Sequence, residues 1–368
     1  MKILLLTSSL GAGGAERVAT TLCNAWSARG DQVTLMPTFS GHGECFYELS
    51  STVRIVYLAD LVSRRKKSFV NQITRLRALR RFIATERPDV IVSFLSNVNV
   101  AAVVASVGLG IPVVVCERTD PFVRQISRLL RLACRFTYPL ADALMVQTQA
   151  VATKYASSSW DLRRVRVIPN PISRQMLDLQ HHDSVDGRKR LIAVGRLDEG
   201  KQFGMLIKVF ASLSRRHTNW SFRIFGEGPL RPVLQQQISA LGLTGRVELP
   251  GRTMSIGEEL VEADAFVLTS NYEGFPNALL EAMAVGLPCV TYDCPSGPRE
   301  MSMEGKVAIL VPLNDEQALG LALQRLMLDA DLRQALGSSA RASVIERFAL
   351  DKVLEQWDSL FEEVGAKH

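Results

Sequence analysis

Two glutamates stand eight positions apart within EGFPNALLEAM, residues 273 to 283. Gly274 and Pro276 break the chain after the first and open a helix. Glu273 is therefore expected in an approach loop and Glu281 in the second turn of the helix. A second candidate is GRLDEGK, 195 to 201, which follows the apolar run RLIAV and sets Arg196 and Lys201 across a short turn. Two cations at the carboxyl end of a strand suit a diphosphate, though alone the pattern equally describes a solvated loop. FGEGPL, 225 to 230, is a glycine-rich strand-to-helix turn carrying Gly226. Alone, such a turn more often means tight packing than phosphate binding. SSLGAGGAER, 8 to 17, places Gly13 and Gly14 where a strand gives way to a helix, and a helix N-terminus favours anionic groups. A dinucleotide fingerprint is disfavoured there. Its third glycine position is Glu16, and the second strand ends PTFS, without an acidic ribose ligand.

These residues need a scaffold of alternating strands and helices. KILLLTS, QVTLMPT, VRIVYL, DVIVSFL, PVVVCE, ALMVQT and VRVIP read as strands, with helices over 14–29 and 122–138 among them. Residues 169–187 carry Pro, Asp and Gly without a β run, as a linker would. Alternation resumes at RLIAVG, SFRIFG, RVELPG, AFVLTS, LPCVTYD and KVAILV, and residues 315–362 are mostly helical. The expected architecture is α/β, with two doubly wound, Rossmann-like domains facing across a cleft. The first covers 1–175, the second 186–345, and a terminal helix over 346–368 is expected to pack back toward the first.

The chain's 368 residues, 47% apolar, allow two cores. Its net charge of +6 is uneven: residues 1–175 hold 23 Lys and Arg against 11 Asp and Glu, and the remainder is mildly acidic. A basic first half points to an anionic partner. Six cysteines without CxxC spacing indicate packed thiols in a reducing compartment. MKILLLTSSLG is too short in its apolar part for a signal peptide, and Gly108, Gly110 and Pro112 divide the uncharged run 98–116.

Taken together, GAGGAER, IPNPI (168–172), GRLDEGK, FGEGPL and EGFPNALLEAMAVGLPCV (273–290) resemble the retaining GT-B glycosyltransferases of family 4, in family order and over nearly the whole chain. The resemblance implies that Glu281 binds the ribose hydroxyls of a nucleotide sugar and that Glu273 sits at the donor sugar. Gly274 and Phe275 belong to the same donor loop. Backbone N–H groups around Pro276, Asn277, Ala278 and Leu279 would meet the diphosphate, and Arg196 with Lys201 would neutralise it. Preorganised cations and dipoles would thereby stabilise the leaving group. The family's chemistry is front-face attack by the acceptor, with donor phosphate taking its proton, rather than the two-carboxylate scheme of hydrolases. Many members carry a histidine where this chain reads CERTDP, 116 to 121, and Arg118 is placed in the site instead. No cofactor and no metal are expected. Asp329-Ala330-Asp331 reads as an N-cap region, and His42, His181, His182, His217 and His368 form no ligand cluster.

The densest basic stretch is SRRKKSFVNQITRLRALRRF, 63 to 82. Phe69, Ile73, Leu76 and Ile83 recur at helical spacing beside Arg75, Arg77 and Arg81, and Arg80 interrupts the stripe. A second run, 123–136, adds Arg124, Arg128, Arg131 and Arg135. Both are either solvated helices packed on the first sheet or a basic amphipathic surface for anionic lipid or an acceptor diphosphate. No nucleic-acid module is visible. The SGGAER-like loop, SFLSN (93–97), CERTDP and CPSGPRE (294–300) together resemble bacterial enzymes of polysaccharide and glycan assembly. Asn97 and Asn99 follow a strand in the first domain, and their position alone places them at the acceptor sugar. The expected activity is transfer of a hexose or N-acetylhexosamine from a UDP-linked donor to a polyprenyl-diphosphate-linked glycan. The expected place is the cytoplasmic face of the membrane, with peripheral attachment. A same-fold UDP-sugar epimerase and a noncatalytic sugar-nucleotide-binding protein are the competing readings.

Overall fold

The structure is a computed structural model that describes residues 1–39, 45–62, 69–120, 122, 126–182 and 188–366. The chain forms two compact units, Met1–Pro171 with Val353–His368, and Ile172–Lys352.

In the first unit the strands are β1 (Lys2–Thr7), β2 (Gln32–Pro37), β3 (Arg54–Ile55), β4 (Val90–Phe94), β5 (Val113–Cys116), β6 (Ala143–Val146) and β7 (Val165–Val167). They form one sheet in the order β3-β2-β1-β4-β5-β6-β7, every pair parallel. Strands covered on both faces read as continuous apolar runs, which is why KILLLT and VVVC lack alternation. On one face Ile3, Leu5, Val92 and Phe94 pack with Trp26, Trp357 and Phe361. On the other Leu4, Leu6, Ile91 and Val115 pack with Leu79, Ile83 and Tyr138. The terminal helix Leu350–Glu363 contributes to the first of these layers. Trp357 meets Trp26 edge-on at 5.6 Å, and Arg29 holds Asp358 through two hydrogen bonds.

In the second unit the strands are β8 (Lys189–Val194), β9 (Trp220–Phe225), β10 (Val247–Gly251), β11 (Ala265–Leu268), β12 (Cys289–Tyr292) and β13 (Ile309–Val311). Their order is β10-β9-β8-β11-β12-β13, again all parallel. Leu191 and Ala193 face one core with Phe210 and Phe222, while Ile192 faces the other with Phe266 and Leu280. Every apolar run read as a strand contains one.

The linker expectation over 169–187 meets a difference. Residues Arg174–Asp178 form a short helix, because Ser173 Oγ accepts from the N–H of Met176 and the Met176 side chain is buried. Residues 183–187 lie outside the described residues. The helix expected over 122–138 runs Arg128–Thr137, started by Ser127, whose Oγ accepts from Leu130 N. Arg124 lies outside the described residues, as do His42 and His368. Asp329 caps the helix Ala330–Phe348 by accepting from Leu332 N at 2.8 Å.

Candidate active site

In an open parallel sheet, ligands bind at the carboxyl edge where the strand order reverses. In the second unit that point lies between β8 and β11. The chain leaves β8 as Gly195–Lys201 and leaves β11 as Thr269–Pro276. Thr269 Oγ1 donates to Lys201 O and Asn271 N donates to Gly200 O, both at 2.8 Å, which ties the two loops together. Lys201 Nζ then lies 2.5 Å from Glu273 Oε1, and Ser270 Oγ donates to the same oxygen at 2.6 Å. Glu273 Oε2 has no partner among the described residues. The residues read as separate motifs 72 positions apart are one charge pair.

Glycines make this approach possible. A Cβ on Gly226, whose φ is +138°, would lie 1.8 Å from Gly195 O, and one on Gly228 would lie 2.3 Å from Leu197 O. The FGEGPL turn thus packs backbone on backbone against the loop after β8, and Gly226 N–H is already bound to Gly251 O. Packing, not ligand contact through its N–H, is the role the geometry gives Gly226.

The helix Asn277–Ala284 starts at Pro276 as its N-cap. Asn277 N–H bonds Phe275 O and Leu280 N–H bonds Pro276 O. The N–H groups of Ala278 and Leu279 have no partner among the described residues, leaving two donors at the positive end of the helix dipole. Glu281 is 5% exposed on this helix. Phe275, expected in the donor site, turns instead into the core, where its ring meets Phe348 at 5.8 Å. Gly274 lies in the turn beside Gly297, where a Cβ would lie 2.6 Å from Pro276 Cδ. Arg196 is not brought to the pair: its side chain is 73% exposed, with Asp198 3.7 Å away.

Several contributors carry no motif signal of their own. Ser296 Oγ donates to Glu273 O at 2.7 Å from a left-handed backbone, φ +57°. Such a conformation costs a non-glycine residue about 1–3 kcal/mol and gathers at functional sites. Gln202, at φ +54°, donates to Asn271 and Asn314. The Ser-Gly of CPSGPRE and the Thr-Ser after β11 were the available clues. Neither specifies a partner in sequence.

In the first unit, Gly13 precedes the helix Gly14–Ala28. The carboxylate of Glu16 folds back over that end: it accepts from Ser9 Oγ at 2.7 Å and would lie 2.1 Å from a Gly13 Cβ. This helix end already holds an anion of the chain's own. At the end of β5, Glu117 and Arg118 point into different surroundings. Glu117 accepts from Tyr138 Oη and Ser96 Oγ, and burial pushes its pKa up to about 7. Arg118 is 7% exposed, stacks 3.5 Å above the Phe94 ring and donates to Asn170, which also accepts from Gln147. Its Nε and second terminal nitrogen have no partner among the described residues, and burial lowers its pKa to about 10. Among the described residues no bond joins Glu117 to Arg118.

Asn97 is exposed at the start of the helix Ser96–Ser106, but Asn99 is fully buried and bonded to Ser93, Cys116 O and Tyr138. Its role is to hold β4, β5 and Tyr138 together. On the helix Phe69–Glu86 the buried stripe is Leu79 and Ile83 with Leu76 beside them, while Ile73 is exposed. Arg80 does not interrupt that stripe; it reaches the carbonyls of Ala105 and Val107, capping the carboxyl end of the helix Ser96–Ser106. Arg75 donates to Thr38 O, whereas Arg77 and Arg81 are exposed. Residues 63–68 lie outside the described residues. Surface depressions at the amino ends of strands, one lined by Pro112, Val113 and Asp142 and one by Lys2, Gln32 and Thr34, touch none of these side chains. Among the described residues no three His, Cys, Asp or Glu gather as a metal site would, and no helix is long and apolar enough to cross a membrane.

Two parallel sheets of Rossmann type, one with a cation–carboxylate pair beside an open helix N-terminus, define the GT-B class of fold. The solved structure of HepE from Anabaena, in complex with UDP-glucose, superposes with a TM-score of 0.79 at 19% identity, over 98% of this chain and 99% of that one. Residues 13–171 match the family model "Glycosyl transferase 4-like domain", and residues 177–343 match "Glycosyl transferases group 1". The chain belongs to the family-4-type glycosyltransferases. A Campylobacter jejuni relative is 28% identical over 99% of both chains: GalNAc-alpha-(1->4)-GalNAc-alpha-(1->3)-diNAcBac-PP-undecaprenol alpha-1,4-N-acetyl-D-galactosaminyltransferase. The amylovoran biosynthesis glycosyltransferase AmsD of Erwinia amylovora is 27% identical over 98% of this chain and 99% of its own.

Proposed function

We propose that this glycosyltransferase moves a hexose or N-acetylhexosamine, with retention and without a metal, from a UDP-linked donor to a polyprenyl-diphosphate-linked glycan at the cytoplasmic face of the membrane. The observation that carries the donor half is the Lys201–Glu273–Ser270 cluster beside the two unpartnered N–H groups of Ala278 and Leu279. The Anabaena protein of the same fold holding UDP-glucose, and the Campylobacter relative acting on an undecaprenyl-diphosphate glycan, support the choice of substrates.

In this reading the helix N-terminus and the cations Lys201 and Arg196 receive the diphosphate, and Glu281 accepts the ribose hydroxyls. Glu273 has one oxygen held by an ammonium and a hydroxyl, which makes it a poor nucleophile. Its Oε2 accepts a hydroxyl of the donor sugar instead. The C1–O bond to the β-phosphate breaks as the acceptor oxygen bonds C1 on the same face, and the acceptor's proton passes to a phosphate oxygen of the departing UDP. The charge growing on that leaving group is what the Lys201 ammonium and the aligned N–H dipoles stabilise. Arg118, with two nitrogens unpartnered among the described residues, offers their N–H groups to substrate in the first unit. UDP release measured in EDTA, from UDP-sugars with and without the lipid-linked acceptor, tests the proposal. Release that rises with acceptor supports it; release that requires Mg²⁺, or none from any UDP-sugar, contradicts it.

A further inference from the structure

The helix Arg128–Thr137, RLLRLACRFT, divides into three sectors. At about 100° per residue, Leu130, Ala133, Cys134 and Thr137 form the inner sector, which packs on the helix Ser96–Ser106 and beside Tyr138. A second sector holds Leu129, Leu132 and Phe136, which are 80%, 51% and 68% exposed. The third holds Arg128, Arg131 and Arg135, all exposed. Leu140, just past the helix, adds a further exposed apolar side chain. The helix contains no acidic residue, and none of its three arginines forms an ion pair among the described residues.

Single exposed leucines are ordinary, but a stripe at i, i+3 and i+7 with a parallel row of unpaired cations is not. A protein partner is the weaker fit, because interface cores are depleted of charge and unpaired guanidinium groups would be desolvated there. A lipid surface meets both sectors at once. Apolar side chains enter the acyl boundary while guanidinium groups remain at phosphate level, where they donate paired hydrogen bonds. The helix Phe69–Glu86 offers less, since Arg75 and Arg80 are bound to backbone carbonyls and its apolar residues Leu79 and Ile83 face the core.

We infer that the helix Arg128–Thr137 is the element by which this protein docks on an anionic bilayer, Leu129, Leu132 and Phe136 inserting and Arg128, Arg131 and Arg135 binding lipid phosphates. The inference deepens the proposed function by naming how the enzyme reaches a lipid-linked acceptor. It is tested without catalysis, so the two can fail separately.

The test is flotation of the full-length protein with vesicles of phosphatidylcholine alone and of an equal mixture with phosphatidylglycerol. The wild type is expected to bind the mixed vesicles, less so as salt rises. Leu129→Ser/Leu132→Ser/Phe136→Ser should weaken binding by roughly tenfold or more. Arg128→Gln/Arg131→Gln/Arg135→Gln should weaken it by about fivefold per arginine removed, and only with phosphatidylglycerol present. Arg77→Ser/Arg81→Ser, on the other basic helix, should stay near wild type. UDP release with a water-soluble short-chain acceptor should be unchanged in the helix 128–137 variants, which shows that they fold. Equal binding by the serine triple variant, or no binding by the wild type, would overturn the inference. So would a wild-type dimer that this variant converts to monomer, because the stripe would then be a contact between copies.

Discussion

The two units build their sheets in one strand order, and each reverses direction beside its first strand, yet their carboxyl edges are equipped differently. In the second unit a carboxylate is neutralised by a cation, Lys201 on Glu273, and the neighbouring helix N-terminus keeps two N–H donors without a partner among the described residues. In the first unit the helix N-terminus is covered by the chain's own Glu16, and the Glu117 carboxyl is buried among hydroxyls, where burial pushes its pKa up to about 7. The same topology therefore presents one edge with a charge pair beside a helix N-terminus and another edge whose polar groups are largely turned inward. Fold supplies the location; the neutralising partner of each carboxylate decides what can bind.

Removing the cation is the largest break in that contrast. Lys201→Met should lower turnover by about a hundredfold or more, read as the initial rate of UDP release, because the leaving group and Glu273 lose a shared counter-charge. The corresponding change in the first unit should show in pH dependence. Glu117 has a pKa raised to about 7 by burial, so the folded state holds a proton that the unfolded state releases. Its contribution is fully present below the ordinary carboxylate range and is lost as pH rises through about 7. Glu117→Gln keeps a neutral group at every pH. Relative to wild type, its unfolding free energy should improve between acid pH and neutrality by up to about 3 kcal/mol, measured by urea denaturation across pH. A parallel pair of curves would mean that burial does not raise the Glu117 pKa above its unfolded value.

Gly226→Ala should cost about 2 kcal/mol in thermal or urea denaturation, because a Cβ at positive φ meets the Gly195 carbonyl. Smallest is Asp358→Asn, which leaves Arg29 one charge short on a partly exposed pair and should cost at most about 1 kcal/mol. An effect on stability larger than that of Gly226→Ala would show that the terminal helix, not the glycine-bridged loops, limits the fold.

The inner strands were legible because sheets covered on both faces need unbroken apolar runs, and every run read as a strand contains one, although VRIVYL yields only the two exposed residues of β3. The site was legible only in part. EGFPNALLEAM announced its helix start and the place of Glu281 on its second turn, since Gly and Pro impose backbone geometry locally; the burial of Glu281 was not announced. The Lys201–Glu273 bond could not be read by pairing residues 72 positions apart, and Phe275 could not be told from a ligand contact because an aromatic ring after glycine suits either a ligand or a core. Arg80 broke an apparent apolar stripe because helical periodicity does not reveal a carbonyl cluster on a neighbouring helix, and Leu79 had been the stripe's true member. The exposed row Leu129, Leu132 and Phe136 needed the structure, as spacing alone would have assigned it to the core.

The most direct test is calorimetric titration of UDP into the wild type and into Glu281→Ala, without added metal. Wild-type binding, with a Kd raised about tenfold to a hundredfold in the variant through loss of hydrogen bonds to a carboxylate, is the predicted result. Identical affinities, or no binding by the wild type, would contradict the placement of the nucleotide at the carboxyl edge of the second sheet.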